Sequence, residues 1–388
     1  MTLTTARTAP RVVLLNPGPV NTHERVKAAI GSPDECHREP EAQELLATVA
    51  RKVTAVSGGG DTHAAVLLTG SGTAALEAAV SSVVPADGRL LVLDNGHYGE
   101  RLLKIAEVHR IPVLRLEFGW ARPIDLDAVD RALAADPGIT HVAAVHHETS
   151  TGMLNPVGEL GRLVARHGRS LLVDAISSLG AEDLDVVADH VDWCIGTANK
   201  CLEGLPGISF VVAPRERFEQ LADVPGRTFY LDLHAHYTSQ VGSRTPQFTP
   251  ALQVLRALDE ALDLTAAEGV AARRKRYTER ADAIRAGLLE RGVDLLLPPE
   301  HRASSITNAH LSNGMTYDEL HDGLKQHGYV IYATQEKSAG VFRLANMGQL
   351  TADDITGFFA AYDEVVRRHT TPRSPSSPAP AEAAAVTR

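Results

Sequence analysis

Short apolar runs alternate with stretches of helical periodicity through most of the chain. Apolar residues recur about every three to four positions at Thr73–Val84, Tyr98–His109 and Val157–His167, which predicts helices there. The apolar runs are Ala64–Thr69, Leu90–Asp94, Ile111–Leu116, His141–His146, Ser170–Asp174, Asp192–Thr197 and Ile208–Ala213. Strands that alternate with helices indicate βα units. The pattern therefore predicts an α/β fold with a mostly parallel central sheet and helices on both faces.

After residue 262 the predicted strands and helices no longer alternate regularly. A charged helical stretch from about Ala266 to Arg291 precedes a mixture of strands and helices. These are Ser304–Leu311, Tyr317–His327, Tyr329–Tyr332, Val341–Ala345 and Ala352–His369. We predict a large domain over 11–262, whose first residues can pack on a smaller α+β domain over 263–369. Residues 1–10 and the Pro-, Ser- and Ala-rich segment 370–388 are predicted to be disordered, because they cannot bury apolar surface.

Charge and cysteine content narrow the class of protein. The 388 residues carry a net charge of −10, which disfavours nucleic acid as a partner. Three cysteines (Cys36, Cys194 and Cys201) show no metal-ligand spacing and, being odd in number, no disulfide framework. This favours a reducing, cytoplasmic setting. No apolar run is long enough to span a membrane, so we expect no membrane partner.

Two ionisable residues stand just beyond predicted strands. Asp174 ends one apolar run, and Lys200 follows another within the small-residue run Gly196–Gly204. Parallel strands point their carboxyl ends at the ligand crevice of such sheets. Each residue alone has an ordinary explanation, Asp174 as a helix cap and Lys200 as a solvated surface lysine. Together they match the needs of pyridoxal phosphate, which are a lysine amine for its aldehyde and a carboxylate for its ring nitrogen.

The turn Thr69–Ala75 has the pattern of a phosphate site. It follows a predicted strand and opens a helix, so backbone N–H groups and the helix dipole can face an anion. Ser71 and Thr73 can add hydroxyl donors. The same letters fit G-x-G-x-x-A, and Asp94 stands about 20 residues on, where a dinucleotide site needs its ribose carboxylate. A nicotinamide-dependent dehydrogenase stays open as an alternative, although it does not explain the lysine and the aspartate.

Other polar residues allow two interpretations each. Arg343 lies in an apolar strand and needs an anion, either a structural carboxylate or a substrate. Tyr98 could stack on a flat ring or simply pack at a helix start. The pair His146–His147 has no third ligand at suitable spacing, so we predict no metal site. The basic run Arg273–Arg276 is predicted to be a solvated helix face.

With these residues in place, the chain resembles the class V aminotransferases of pyridoxal-phosphate fold type I, from about Leu14 to His369. The runs VHHETSTGMLNP and GTANKCLEGLPGISF carry most of the resemblance, because they are far more restrictive than a glycine pattern. The other matching runs are LLNPGPV, LLTGSGTAALEA, LVLDNGHYGER, LLVDAISSLGA, FTPALQVL, GYVIYATQ and FRLANMG.

The resemblance implies a role for each matching position. Lys200 would bind the cofactor covalently and carry a proton between the substrate carbon and the cofactor, while Asp174 would hold the ring nitrogen. Arg343 would bind the carboxylate of pyruvate or alanine in a pocket lined by Gly18. The remaining cofactor contacts would be Ser71, Gly72, Thr73, Thr197 and Asn199 at the phosphate, Tyr98 on the ring, Thr149 at the ring hydroxyl and, from the partner chain of an obligate homodimer, Thr249 at the phosphate.

Within the family, the chain is most similar to members that convert 2-aminoethylphosphonate and pyruvate into phosphonoacetaldehyde and alanine by a ping-pong mechanism. The segment Cys36–Glu41 departs from their pattern, and its His37-Arg38 pair is similar to alanine–glyoxylate aminotransferases. Arg38 could be a second anion contact or an ion-pair partner of Glu41. An alanine–glyoxylate or serine–pyruvate aminotransferase is therefore an alternative. A pyridoxal-phosphate lyase fits less well, since no cysteine is placed as its mobile-loop nucleophile.

Overall fold

Strands and helices alternate along the computed structural model, which describes residues 11–312, 314–334 and 340–370. The strands are β1 (Val13–Leu14), β2 (His63–Thr69), β3 (Arg89–Asp94), β4 (Val113–Glu117), β5 (Ile139–Val145), β6 (His147–Glu148), β7 (Met153–Leu154), β8 (Ser170–Asp174), β9 (Trp193–Thr197), β10 (Ile208–Pro214), β11 (Ile306–His310), β12 (Tyr329–Val330), β13 (Tyr332–Ala333) and β14 (Val341–Ala345). The helices are α1 (Glu24–Ala29), α2 (Pro40–Val56), α3 (Gly72–Val83), α4 (His97–Val108), α5 (Leu126–Ala135), α6 (Val157–Arg166), α7 (Arg215–Gln220), α8 (Leu233–Tyr237), α9 (Leu252–Glu268), α10 (Val270–Glu290), α11 (Tyr317–Gln326) and α12 (Ala352–Thr370).

The apolar runs form a central sheet of seven strands in the order β2-β10-β9-β8-β5-β3-β4. All run parallel except β10, which lies antiparallel between β2 and β9. The predicted α/β fold with a mostly parallel sheet is confirmed. Such strands are apolar along their whole length because both of their faces are buried.

Helices cover both faces of this sheet. Successive side chains of a strand point to opposite faces, as Leu90 and Leu91 of β3 do. Leu91 packs in a core with α2, α5, α6 and α9, whereas Leu90 packs in a core with α3, α4, α7 and α8. In the described ranges, no helix combines the length and the apolar character needed to cross a membrane.

The C-terminal part of the chain has a core of its own. Strands β11, β14 and β13 form a small antiparallel sheet, and α10, α11 and α12 pack in the same cluster. Val13 and Leu15 join this cluster, and β1 pairs with β12, so the first described residues lie against the C-terminal unit. The domain boundary at residue 262 stays a prediction. Helix α9 runs across it and buries Leu262 against the central sheet.

Some predicted elements differ from the structure. The helix predicted from about Ala266 begins instead at Val270, because Gly269 adopts a φ of +81° that ends α9. The predicted strand Tyr329–Tyr332 is divided into β12 and β13. The segments 1–10 and 371–388, predicted to be disordered, lie outside the described residues. Thr370, assigned to the tail, ends α12.

Candidate active site

Lys200 and Asp174 follow neighbouring parallel strands to the same edge of the sheet. Strand β8 ends at Asp174 and β9 at Thr197, with Asp174 in register with Ile195. Lys200 lies in the turn after β9, which the Glu203 N–H closes by donating to the Lys200 carbonyl oxygen at 2.9 Å. The fold therefore brings both residues to the crevice at the carboxyl ends of the strands.

The carboxylate of Asp174 is buried and only half satisfied. Its Oδ1 accepts a hydrogen bond from the Ile176 N–H at 3.0 Å, whereas Oδ2 has no partner among the described residues. Burial raises the pKa of Asp174 to about 7. An unpartnered buried acceptor lowers stability. Oδ2 therefore fits a donor that a bound molecule supplies, such as the protonated ring nitrogen of pyridoxal phosphate.

The Lys200 amine is in an environment that favours its neutral form. Burial lowers the pKa of Lys200 below its ordinary value, and the neutral amine is the form that attacks an aldehyde. Gly18 lies directly against this side chain. A Cβ at Gly18 would lie 2.8 Å from Lys200 Cδ, and its φ of +107° also favours glycine. Gly18, predicted as a pocket residue, is thus beside the lysine.

The first turn of α3 presents the predicted phosphate donors. Ser71 caps this helix without a side-chain capping bond, so its hydroxyl is available to a ligand. Gly72 and Thr73 follow at the positive end of the helix dipole, where backbone N–H groups favour an anion.

Thr197 and Asn199 lie in the turn that leads to Lys200. The Thr197 hydroxyl is 3.0 Å from Asn199 Oδ1. This turn and the α3 turn both bond to the start of β10, since the Ala198 N–H donates to the Ile208 carbonyl at 3.0 Å and the Gly70 N–H to the Gly207 carbonyl at 2.8 Å. The two groups of predicted phosphate residues therefore flank one strand end.

Tyr98 is positioned by Glu148, a buried residue that sequence reasoning missed. Glu148 is fully buried and accepts hydrogen bonds from the backbone N–H groups of Tyr98 and Ser150, each at 3.0 Å. Burial raises the pKa of Glu148, although these bonds oppose the shift. The signal that could have found it is a lone carboxylate between the apolar strand β5 and the STGM turn.

Arg343 reaches from β14 to the large domain. Its NH1 donates to the Thr149 carbonyl at 2.9 Å and its NH2 to the Ala333 carbonyl at 2.6 Å. It is buried, and burial lowers its pKa. Among described residues Arg343 has no ion-pair partner, so the structural carboxylate considered above is not found there. Burial would raise the pKa of the Tyr98 phenol, but Lys200, Thr149, Arg343 and Arg101 lower it, so each of these side chains lies close enough to Tyr98 to interact with it.

Two predicted site residues, Arg38 and Thr249, are exposed. Arg38 is exposed on the loop before α2, with no ion pair to Glu41 in the described structure. Thr249 is also exposed, on the loop that leads to α9. Neither residue has a hydrogen bond or ion pair with Lys200 in the described structure, and Thr249 lies instead near Thr69, whose hydroxyl accepts from the Ala251 N–H at 3.1 Å. For Thr249 this agrees with a role toward a second chain.

The partners of Asp94 and Cys201 disfavour the dehydrogenase and lyase alternatives. Asp94, required by the dinucleotide interpretation, is buried and accepts a hydrogen bond from Arg115 Nε at 2.8 Å, so it is not free for a ribose. Cys201 is buried with its Sγ 3.2 Å from the Ser177 carbonyl oxygen. Burial raises the pKa of this thiol to about 12, which disfavours the thiolate that a lyase nucleophile needs.

The prediction of a solvated basic run was wrong for part of it. Arg273 is buried, and its NH1 donates to the Cys201 carbonyl at 2.8 Å. Arg276 is mostly buried and pairs with Glu203 at 2.9 Å. Only Lys275 is well exposed, with 76% of its side chain accessible. Two arginines of the run therefore bond to residues of the turn that carries Lys200, on the side away from the crevice.

Comparison with known proteins is consistent with this geometry. The family model described as aminotransferase class-V matches residues 11–342. The 2-aminoethylphosphonate–pyruvate transaminase of Syntrophobacter fumaroxidans is 37% identical over 360 residues, which are 92% of this chain and 96% of the relative. The enzyme of the same name from Pseudomonas aeruginosa PAO1 is 36% identical over 94% of this chain and 98% of the relative.

Solved structures support the same fold. Ureidoglycine–glyoxylate aminotransferase from Bacillus subtilis superposes with a TM-score of 0.89 at 24% identity, covering 94% of this chain and 95% of that structure. Alanine–glyoxylate aminotransferase from Nostoc sp. gives a TM-score of 0.87 at 26% identity, covering 95% of this chain and 98% of that structure.

Proposed function

The chain belongs to the class V aminotransferase family, and we propose that it transfers the amino group between 2-aminoethylphosphonate and pyruvate with pyridoxal phosphate as cofactor. The relatives named above for this reaction support the substrates. The reaction would proceed in two halves, with the amine donor first and the keto-acid acceptor second. The products would be phosphonoacetaldehyde and alanine.

One observation carries the proposal. Lys200, whose pKa is lowered by burial, interacts electrostatically with Asp174, whose buried Oδ2 has no partner in the described structure. These are the two groups that the cofactor requires, an amine for its aldehyde and an acceptor for its ring N–H. When bound, pyridoxal phosphate supplies an electron sink that stabilises negative charge on the substrate carbon.

Each side chain would then have a definite task. The Lys200 amine would hold the cofactor and afterwards move a proton at its Nζ as general base and acid. Asp174 would keep its negative charge at Oδ2 against a protonated ring nitrogen. Tyr98 would pack on the ring face, and Thr149 would contact the ring hydroxyl. Ser71, Gly72, Thr73, Thr197 and Asn199 would bind the phosphate.

Arg343 would bind the anion shared by the two substrates. A guanidinium fork matches both carboxylate and phosphonate oxygens, and burial strengthens such a pair. One cationic pocket lined by Gly18 could therefore serve pyruvate and 2-aminoethylphosphonate in turn. Arg38 would add a second anion contact only if the assembled protein brings it to the pocket.

The proposal includes a homodimer in a cytoplasmic setting. Phe229 is 84% exposed and Tyr230 is 44% exposed, and Tyr230 stacks on Phe248 beside Thr249. An exposed aromatic patch of this kind is typical of an interface, and a second copy there would receive Thr249 at its cofactor phosphate. Sedimentation of the cofactor-loaded protein tests this, because a monomer would exclude a shared site.

A second candidate is alanine–glyoxylate aminotransferase. The Nostoc structure of that name shares 26% identity and nearly the whole fold with this chain. The same lysine, aspartate and arginine would serve both reactions, so the substrate decides between them.

The visible spectrum of the cofactor-loaded protein tests the proposal. Addition of 2-aminoethylphosphonate alone should remove the absorption band of the lysine-bound cofactor, and pyruvate should restore it. Lys200→Ala is the control, and it should lack that band and all turnover because its side chain has no amine. Conversion by alanine but not by the phosphonate would favour the second candidate. No response to any amine would contradict an aminotransferase.

A further inference from the structure

The phosphate residues proposed above are all neutral. Ser71, Thr73, Thr197 and Asn199 offer hydroxyl and amide groups, and Gly72 offers only its backbone. A phosphate monoester carries a charge of about −1.5 to −2 at neutral pH. Neutral donors and a helix dipole compensate part of this charge, and a guanidinium compensates more because charge-assisted hydrogen bonds are stronger.

Arg101 is the arginine that contacts this group. It lies on α4, one turn after Tyr98, and is partly buried. Its NH1 donates to Thr73 Oγ1 at 3.2 Å, and its Cζ lies 4.6 Å from the centre of the Tyr98 ring. It therefore bridges a proposed phosphate residue and the proposed ring-stacking residue.

The guanidinium of Arg101 has no ion pair with any described residue. Three carboxylates near α4 pair with other cations, and the buried Asp174, which interacts electrostatically with Arg101, forms no ion pair with it. Glu100 pairs with Lys104 at 3.5 Å, and Glu77 pairs with His109 at 2.9 Å. Arg115 takes the Asp94 carboxylate at 2.6 Å. A partly buried guanidinium without a counter-ion is unfavourable, so an anionic ligand beside Thr73 would stabilise it.

We infer that Arg101 is the counter-ion of the cofactor phosphate, an assignment that rests on the proposed function. Its stacking on Tyr98 fixes the guanidinium plane. Its bond to Thr73 directs it toward the N-terminus of α3, where the helix dipole also favours an anion. The site would thus be selective for the phosphorylated form of the cofactor over pyridoxal, which lacks the anion.

Equilibrium binding to the cofactor-free protein tests this assignment. We expect Arg101→Gln to weaken pyridoxal phosphate by about tenfold to a hundredfold while pyridoxal changes little, because only the former loses a charge-assisted contact. Arg101→Lys should recover part of the loss. Lys104→Gln is the matched control, since Lys104 lies on the same helix with 67% of its side chain exposed. It should leave the affinity ratio of the two ligands unchanged.

An equal weakening of both ligands would overturn the assignment, since Arg101 would then act only on the ring pocket through Tyr98. Unchanged affinity for both ligands would overturn it as well. Inorganic phosphate separates this result from failure of the proposed function. If the wild type binds no pyridoxal phosphate, the proposed function fails. Thermal stabilisation by phosphate that Arg101→Gln abolishes would still support an anion site. Absence of stabilisation in the wild type would exclude one.

Discussion

The two sides of the Lys200 turn satisfy their polar groups in different ways. On the crevice side, Asp174 Oδ2 has no described partner, and Ser71 makes no capping bond. Behind the turn, Glu203 accepts hydrogen bonds from Arg276 at 2.9 Å, Tyr277 at 2.6 Å and Gln349 at 2.5 Å. Folding alone favours the second arrangement, because unpaired buried groups lower stability. The contrast separates groups that bind a ligand from groups that stabilise the fold.

The paired groups behind the Lys200 turn join this turn to the C-terminal part of the chain. Arg273 donates to the Cys201 carbonyl from α10, and Gln349 lies just after the strand that carries Arg343. Burial would raise the pKa of Glu203, but Arg273 and Arg276 lower it below its ordinary value. Glu203 therefore stays ionised and links the elements that carry Lys200 and Arg343.

Among the substitutions that test this difference, Glu203→Gln should have the largest effect on the free energy of unfolding. The Glu203 side chain is 5% exposed and that of Arg276 is 24% exposed. Removing one member of such a pair lowers the free energy of unfolding by about 3–5 kcal/mol. Urea denaturation measures this loss. The control is Glu279→Gln, which breaks an exposed pair with Lys275 and should leave the free energy of unfolding almost unchanged, because solvent screens that pair. Full stability with loss of the cofactor band would instead assign Glu203 to the ligand side.

Asp174→Asn should have the opposite effect on stability. The pKa of Asp174 is about 7 in the folded protein, against about 3.9 in the unfolded chain. The folded state therefore holds the proton more tightly. The proton on Asp174 thus adds up to about 4 kcal/mol to the free energy of unfolding. This stabilisation is complete below about pH 4 and is lost as the pH rises through about 7.

Cofactor-free protein is the appropriate sample for that comparison, because a protonated ring nitrogen would restore the charge of Asp174. We expect the unfolding free energy of the wild type to fall relative to Asp174→Asn between about pH 4 and about pH 7, and the variant to be the more stable above it. Parallel pH profiles of the two proteins would show that Asp174 Oδ2 already has a partner. The difference proposed between the crevice side and the rear of the Lys200 turn would then not hold at Asp174.

The smallest effect should come from Arg343→Lys. Lysine retains the charge but lacks the planar fork that binds two oxygens at once. We expect the KM for pyruvate to rise by about tenfold to a hundredfold, with little change in stability. Arg291→Lys is a suitable control, since Arg291 pairs with Asp363 on the C-terminal unit. An unchanged KM would remove Arg343 from the pocket.

The sequence predicted those parts of the fold that depend on local pattern. A strand buried on both faces must be apolar throughout, so Ser170–Asp174 and Val341–Ala345 were predicted with the bounds that the structure has. A polar residue at the end of such a run is conspicuous, which is why Asp174 and Lys200 could be identified. Helix α9 was not predicted, because no clear break separates it from α10 except Gly269.

Only the tertiary structure decided which residues distant in the chain contact one another. The sequence by itself determined the α/β class, the family and the chemical types of the site residues, since these follow from periodicity and from restrictive runs. It could not determine that Arg273 is buried against Cys201, that Glu148 holds Tyr98, or that Arg101 has no ion pair among the described residues. Whether a charged side chain is solvated, paired or left for a ligand depends on which elements pack around it, and local pattern carries no information about that packing.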